Sequence, residues 1–514
     1  MKRLPIGIQS FAKLREDKEF YYVDKTRFIK MLSEETSGYF FLSRPRRFGK
    51  SLFLDTLRQA FLGKKELFKG LYLENNWDWS KKYPVIYISF GAGVHKTEEE
   101  LRETQDMILR KHAEGYDIKL EEKSIKNRFI ELIEKVYKKE KEKVVILIDE
   151  YDKPILDNIE EKEIAKEMRE SLKNFYSVIK DADEYIKFVF ITGVTKFSKV
   201  SIFSGLNNLN DITLDPKYAS ICGITQKELE EGFKELLEGV DKEEMKKWYN
   251  GYNFLGEKVY NPFDVLLFLD KKIYRPYWFE TGTPTFLIKL LMKERYYLPE
   301  IENLRAGEEI IESFDVETMN ITTLLFQAGY LTIKGYKDIF GKRTYYLTYP
   351  NIEVRTSFMD HILNYITKKP EKKAESEIEL SEALIKSEIE KMKEIFHAFF
   401  ASIPNDWYRK NDIEKYEGFY ASVFYAYFAA LGIEVKAEDV TNKERIDLTV
   451  RFEEKCYIFE FKVIEGKEKK GALEQLKEKR YHEKYKGKCK EIYIIGVEFD
   501  KEERNIAYFE WERV

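Results

Sequence analysis

Four short apolar runs, separated by amphipathic stretches, occupy the first two hundred residues, and that alternation leaves few folds open. The runs are "GYFFLS", "PVIYISF", "KVVILIDE" and "IKFVFITGV". Each is rich in β-branched or aromatic residues and too short for a helix, so each reads as a buried strand. Between them, "SLFLDTLRQAFLG", "TEEELRETQDMILRKHAEG" and "KNRFIELIEKVYKKEK" read as helices. Strand and helix in alternation predict an α/β domain over 1–215, a parallel sheet with helices on both faces.

At 514 residues the chain exceeds one ordinary core. Over 216–365 the pattern shifts. "TQKELEEGFKELLE" opens on a threonine cap and reads as helix, and "YNGYNF" and "YNPFDV" are turn-rich. "TTLLFQAGYLTIKGY" with "RTYYLTYPN" reads as a helix and a hairpin, giving a helical lid with a winged-helix-like part. The charged 366–394 reads as a linker leading into a solvated helix. Over 395–514 a helix, three strands, a helix and one or two further strands form a second compact α/β unit.

Composition constrains less. The net charge is −4 with 35% charged residues, which fits a solvated surface and leaves room for a local basic face. Cys222, Cys456 and Cys489 are far apart, so free thiols in a reducing compartment are expected and a disulfide framework is not. The basic N-terminus lacks a long apolar core, and "FYASVFYAYFAALG" is too short to span a bilayer. A cytoplasmic protein without a membrane partner is expected.

"RPRRFGKS" links the first apolar run to the first helix. Its Gly49, Lys50 and Ser51 match the end of a phosphate-binding loop. There glycine lets backbone N–H groups surround phosphates, lysine reaches the β- and γ-phosphates, and serine binds Mg²⁺. Arg44 stands where such a loop has its first glycine. Arg44, Arg46 and Arg47 are expected to add positive charge there, and Pro45 to stiffen the turn. About a hundred residues later, "VVILIDE" runs into Asp149 and Glu150, which suit a Mg²⁺-holding carboxylate and a group that polarises the attacking water. Thr192 ends the fourth run, where a polar side chain can sense the γ-phosphate. The three strand ends come in the order of a P-loop ATPase of the additional-strand kind.

A second constellation lies in "RIDLTVRFEEKCYIFEFKV". Glu460 and Lys462, two residues apart, share a strand face, and a turn at "EEK" brings Asp447 to it. Two carboxylates suit Mg²⁺, and a lysine beside them can orient or deprotonate water for attack on a phosphodiester. Unpaired charges among Ile, Phe and Val are costly to bury. The structural alternative is a Glu460–Lys462 pair on a wet face.

"YYVDKT", "RPRRFGKSL", "ILIDEYDKPI", "ITGVTKFSKVSIFSGLNNL", "YNGYNF", "YNPFDV" and "FETGTP" resemble bacterial AAA-ATPase-like proteins that carry a C-terminal PD-(D/E)XK nuclease-superfamily domain. The resemblance spans nearly the whole chain and includes the altered loop. It implies ATP at Gly49, Lys50 and Ser51 with Asp149 and Glu150 opposite. It sets "VDKT" (Asp24, Lys25, Thr26) either near the nucleotide or as a buttress. It also implies that Glu417, at a helix start, completes the metal site with Asp447 and Glu460. Gln475, on the helix after Lys462, then supports the reaction, and Lys477, Lys479 and Arg480 could touch a nucleic-acid backbone. The expected function is an ATP-binding, ATP-hydrolysing protein coupled to a Mg²⁺-dependent nuclease, with DNA favoured over RNA. Oligomers are compatible with this. The competing expectation is a nucleotide-switched protein that binds nucleic acid or a partner without cutting.

Overall fold

The computed structural model describes residues 1–514 except 1, 18, 198–201, 204–205, 207, 280–284, 295, 313–316, 318, 369, 404–416, 441–444 and 467. Most of "FETGTP" and part of "SKVSIFSG" therefore lie outside the described residues. The chain forms two compact units, one of 1–278 with 305–351, the other of 279–304 with 352–514. The segments expected to form a separate middle domain are thus divided between the two.

In the first unit the apolar runs become strands β1 (Tyr39–Ser43), β2 (Val85–Ser89), β3 (Val144–Asp149) and β4 (Ile186–Gly193), with the short β5 (Asn210–Asp211). They pair in parallel in the order β2-β3-β4-β1-β5. Every residue of β1 and β3 is buried, as a strand covered on both faces requires. Helices Glu98–Gly115 and Ile125–Glu140 start where Thr97 and Ser124 accept backbone N–H groups from Glu100 and Asn127. Inserting β4 between β1 and β3 sets the ends of all three side by side, so Ser43, Asp149 and Thr192 occupy one edge of the sheet.

A two-stranded pair, β6 (Ile224–Thr225) and β7 (Val259–Tyr260), follows with the helices Gln226–Gly232, Lys242–Tyr249 and Pro262–Lys271. Thr225 and Glu228 cap the first of these reciprocally. A small sheet in the order β8-β10-β9 contains β8 (Leu304–Gly307), β9 (Thr332–Ile339) and β10 (Lys342–Thr348). The helix Ile321–Gln327 precedes the β9–β10 hairpin, as the sequence predicts.

The second unit is built on β11 (Glu434–Val440), β12 (Arg445–Phe452), β13 (Lys455–Ile464), β14 (Glu491–Asp500) and β15 (Asn505–Arg513), paired in that order. Only β13 and β14 run parallel; the other neighbours are antiparallel. The helix Glu417–Ala430 is buried along almost its whole length. Its Phe424 stacks on Phe396 at 3.8 Å and meets Phe461 of β13 at 5.0 Å.

Two expectations are corrected here. The stretch 366–394 is no linker: the helices Pro370–Lys386 and Ile389–Ser402 bury Leu380, Leu384, Met392 and Phe396. Its dense charge masked a sparse apolar stripe. Cys456 and Cys489 are joined in a disulfide, 33 residues apart with Cα atoms separated by 6.0 Å. Parallel pairing of β13 and β14 makes them neighbours, which residue spacing alone does not reveal. Cys222 is free and buried. No helix among the described residues is long and apolar enough to cross a membrane.

Candidate functional site

The first candidate site lies at the sheet edge where β1 meets the helix Lys50–Phe61. Gly49 precedes the helix at φ 90°, in the left-handed region that glycine adopts without strain. The N-cap residue, Gly49, gives this helix no side-chain cap, and the N-terminus of a helix suits an anion. Lys50 is buried and donates to the Arg44 and Pro45 carbonyls, both at 2.9 Å. Burial pulls its ammonium below the usual lysine range, against the opposing charge of Asp149.

Asp149 is 3% exposed at the end of β3. Thr192 donates to its Oδ1 at 2.7 Å, and the Tyr87 hydroxyl to Oδ2 at 3.3 Å. Glu150 follows in the left-handed region at φ 53°. Its carboxyl is pushed up by burial and then by the Asp149 charge. Ser51 is half-buried in the first turn of the helix. The Asp149 carboxylate and the Ser51 hydroxyl are hard oxygen donors of the kind that suits Mg²⁺.

The three arginines divide. Arg44 turns inward, 1% exposed, donating to the carbonyls of Ser43, Thr213 and Tyr218 and lying 3.8 Å over the Phe254 ring. It therefore ties the loop to the chain after β5, which corrects the expectation that its charge faces phosphate. Arg46 and Arg47 are exposed; Arg47 has φ 65° and lies over the Phe263 ring.

"VDKT" braces its surroundings, and its Val23 and Lys25 also line an apolar cavity together with Phe48 and Gly49. Lys25 pairs with Glu228 and donates to the Ser220 carbonyl, Asp24 accepts from Thr26 and Tyr72, and Thr26 accepts from Leu73. Asp152 was not singled out from the sequence. It is buried and accepts from the Val194 and Thr195 backbones and the Thr195 hydroxyl, tying the β3 loop to the β4 loop. Its place three residues after Asp149 was the available signal.

The second candidate site sits on β12 and β13. The antiparallel register, with Leu448 opposite Phe459, sets Asp447 beside Glu460, and Asp447 Oδ2 accepts from the Phe461 N–H at 2.8 Å. Glu460 is 2% exposed. Its Oε1 accepts from Lys462 at 3.3 Å and from Gln475, whereas Oε2 is buried without a hydrogen-bond partner.

Burial raises the carboxyls of Asp447 and Glu460; the Glu417 charge adds to both, and the Asp447 charge adds to the rise at Glu460. Burial lowers Lys462, but Glu460, Glu417 and Asp447 outweigh it, so its ammonium is held above the ordinary range. A divalent cation would relieve the repulsion and occupy the orphaned oxygen, so the donor set fits Mg²⁺. Among the described residues no three acidic, histidine or cysteine side chains converge as a ready metal cage. The structure thus pairs Asp447 with Glu460 and leaves Glu417 acting on them through its charge.

Two residues that sequence reasoning missed hold Gln475 in place. Glu498 of β14, opposite Lys462, accepts from the Lys470 and Ala472 backbones and so anchors the start of the helix Ala472–Lys479. Gly496, opposite Glu460, lies under that helix: a Cβ there would sit 2.3 Å from the Leu473 nitrogen. Lys477 pairs with Glu512, and Arg480 with Glu483.

A family model described as a predicted AAA-ATPase matches residues 5–203, and one for the PD-(D/E)XK nuclease superfamily matches 415–509. An uncharacterized protein from the region 5′ of vnfD in Azotobacter chroococcum mcd 1 is 48% identical over 508 residues, covering 99% of this chain and 98% of its own length. The loop before a buried lysine and the paired carboxylates beside Lys462 fall within those two matches. The chain belongs to the AAA-ATPase-like proteins that carry a C-terminal PD-(D/E)XK nuclease-superfamily domain.

Proposed function

We propose that the chain binds and hydrolyses ATP in its first unit and cleaves nucleic-acid phosphodiesters in its second, with DNA the preferred substrate. The observation that carries the nuclease reading is Glu460. It is a buried carboxylate contacted by Lys462 and Gln475, with one oxygen unpartnered. Such an arrangement costs stability, and a reaction that needs it gives a reason to keep it. Mg²⁺ held by Asp447 and Glu460, with Glu417 adding its charge, would supply Lewis acidity at the scissile phosphate. Lys462 is placed to orient the attacking water, and Gln475 to fix the carboxylate's rotamer.

In the first unit, the Gly49 turn and the uncapped helix receive the phosphates, with Arg46 and Arg47 at the rim. Lys50 moves from the Arg44 and Pro45 carbonyls to the β- and γ-oxygens. Asp149 and Ser51 would hold Mg²⁺, Glu150 would polarise water, and Thr192, bonded to Asp149, would sense the γ-phosphate. The base takes the apolar cavity of about 100 Å³ that opens at Gly49 and is lined by Tyr21, Val23, Phe48, Phe233 and Leu266.

The second reading is a nucleotide-switched protein that binds without cutting. It is favoured by the absence, among the described residues, of a ready three-ligand metal cage. Purified protein with Mg²⁺ is incubated with single- and double-stranded DNA and with RNA, with and without ATP, beside Lys462→Ala and Lys50→Ala. Cleavage that disappears in Lys462→Ala, and that responds to ATP only when Lys50 is present, supports the coupled enzyme. ATP bound with every substrate intact selects the binding protein.

A further inference from the structure

The β9–β10 hairpin has a tip that folding alone does not explain. Ile339 pairs with Lys342, leaving Phe340 and Gly341 as a two-residue turn with φ 51° and 76°. Two successive positive φ values make the turn type that Asn-Gly favours. A bulky aromatic at its first position is a backbone outlier. Phe340 is also 103% exposed, Ile339 beside it is 52% exposed, and Tyr336, farther down β9, is 49% exposed. The tip therefore meets neither the backbone preference nor the burial preference of its side chains.

The flanking charge is mostly positive. Lys334, Lys337, Lys342 and Arg343 face the single acid Asp338, on a chain whose net charge is −4. Arg343 forks onto Asp338 at 2.8 and 3.0 Å and lies over the Tyr336 ring, which stiffens the hairpin below its tip. Lysines on the outer strand β9 also discourage strand-on-strand pairing. That role does not account for an apolar tip.

We propose that this hairpin is a docking element for duplex nucleic acid. Lys337 and Lys342 would lie against phosphates, and Phe340 would enter between base pairs from the minor groove. An exposed apolar wedge flanked by cations matches the chemistry of a side chain that unstacks a base step while its neighbours neutralise the backbone. The proposal rests on the reading that the chain acts on nucleic acid, and it names the contact that precedes cleavage.

The test uses the full chain and a fluorescein-labelled DNA duplex, followed by anisotropy between 50 and 200 mM salt. A second duplex carries 2-aminopurine, which brightens when its step is unstacked. The variants are Phe340→Asn, which suits the turn, and Lys337→Ala/Lys342→Ala. Phe340→Asn is expected to bind at least tenfold more weakly and to lose the 2-aminopurine signal, with its melting temperature unchanged or raised. The double lysine variant should lower the log–log salt slope by about two. Variants that bind like the wild type overturn the proposal while leaving cleavage, and thus the nuclease reading, intact. Binding of phosphatidylserine vesicles through Phe340, with no duplex binding, also overturns it. Phe340-dependent duplex binding without any cleavage supports the hairpin and removes the nuclease reading.

Discussion

Arg44, Arg46 and Arg47 occupy one turn, yet only Arg44 is buried with both terminal nitrogens donating to backbone carbonyls. Removing its guanidinium strands the Thr213 and Tyr218 carbonyls in a buried place. Arg44→Lys should therefore lower stability by about 2–4 kcal/mol in urea titration. Arg46→Ala and Arg47→Ala should leave the urea midpoint nearly unmoved and weaken ATP binding by calorimetry. Equal losses of stability in all three would refute this division. The sequence showed the Gly-Lys-Ser, Asp-Glu and Glu-x-Lys groups because each needs particular residue types at short spacing. It did not show which way Arg44 faces, since that depends on carbonyls about 170 residues downstream.

Glu460 supports a pH prediction. Its carboxyl is pushed up to about 8, first by burial and then by Asp447. A raised carboxyl pKa means that the proton stabilises the folded state. That stability is complete below the ordinary glutamate pKa of about 4.3 and is lost as pH rises through 8. Glu460→Gln, which cannot ionise, should melt about 2–4 °C higher than the wild type at pH 9, for roughly 1 kcal/mol relieved. The gain should vanish at pH 5 and shrink when Mg²⁺ is added to the wild type at pH 9, and cleavage should be lost. A Tm difference independent of pH would show that ionisation is not the cause.

At the scale of elements, the helix Ala472–Lys479 decides whether Gln475 reaches Glu460. Its seat is β14, where Gly496 leaves room and Glu498 accepts the Ala472 N–H that opens the helix and the Lys470 N–H before it. Gly496→Val drives a side chain into the Leu473 backbone, so the helix must lift. The cost should be about 1–3 kcal/mol, with cleavage falling at least tenfold while the ATPase rate is unchanged. A fall in both activities would point to general misfolding. This support was illegible beforehand because Gly496 reads as an ordinary strand residue until β14 is known to lie beside β13. The Cys456–Cys489 disulfide stayed hidden for the same reason. Most of the strand–helix alternation was legible, from continuous apolar runs and amphipathic stretches, but the helix Lys162–Tyr176 between β3 and β4 was not read. The helices of 366–402 were harder, because a thin apolar stripe among charges fits a solvated helix equally well until a partner surface is known.

For the whole molecule, two compact units with separate sheets make the proposed ATP binding and the proposed phosphodiester chemistry physically separable events. Ligand binding stabilises only the states that bind it, by about 2.7 kcal/mol at a hundredfold excess over Kd. If the units unfold separately, calorimetry should show two transitions. ATP with Mg²⁺ should raise the one belonging to the first unit, and Lys50→Ala should abolish that rise. The second transition then reports coupling directly. Coupling is reciprocal, so a duplex that stabilises the second unit must tighten ATP binding by the same factor by which ATP tightens duplex binding. A nucleotide-gated nuclease requires ATP to change either the second transition or the cleavage rate at saturating duplex. If ATP moves the first transition alone and cleavage proceeds at one rate with or without it, the two activities share a chain and nothing more.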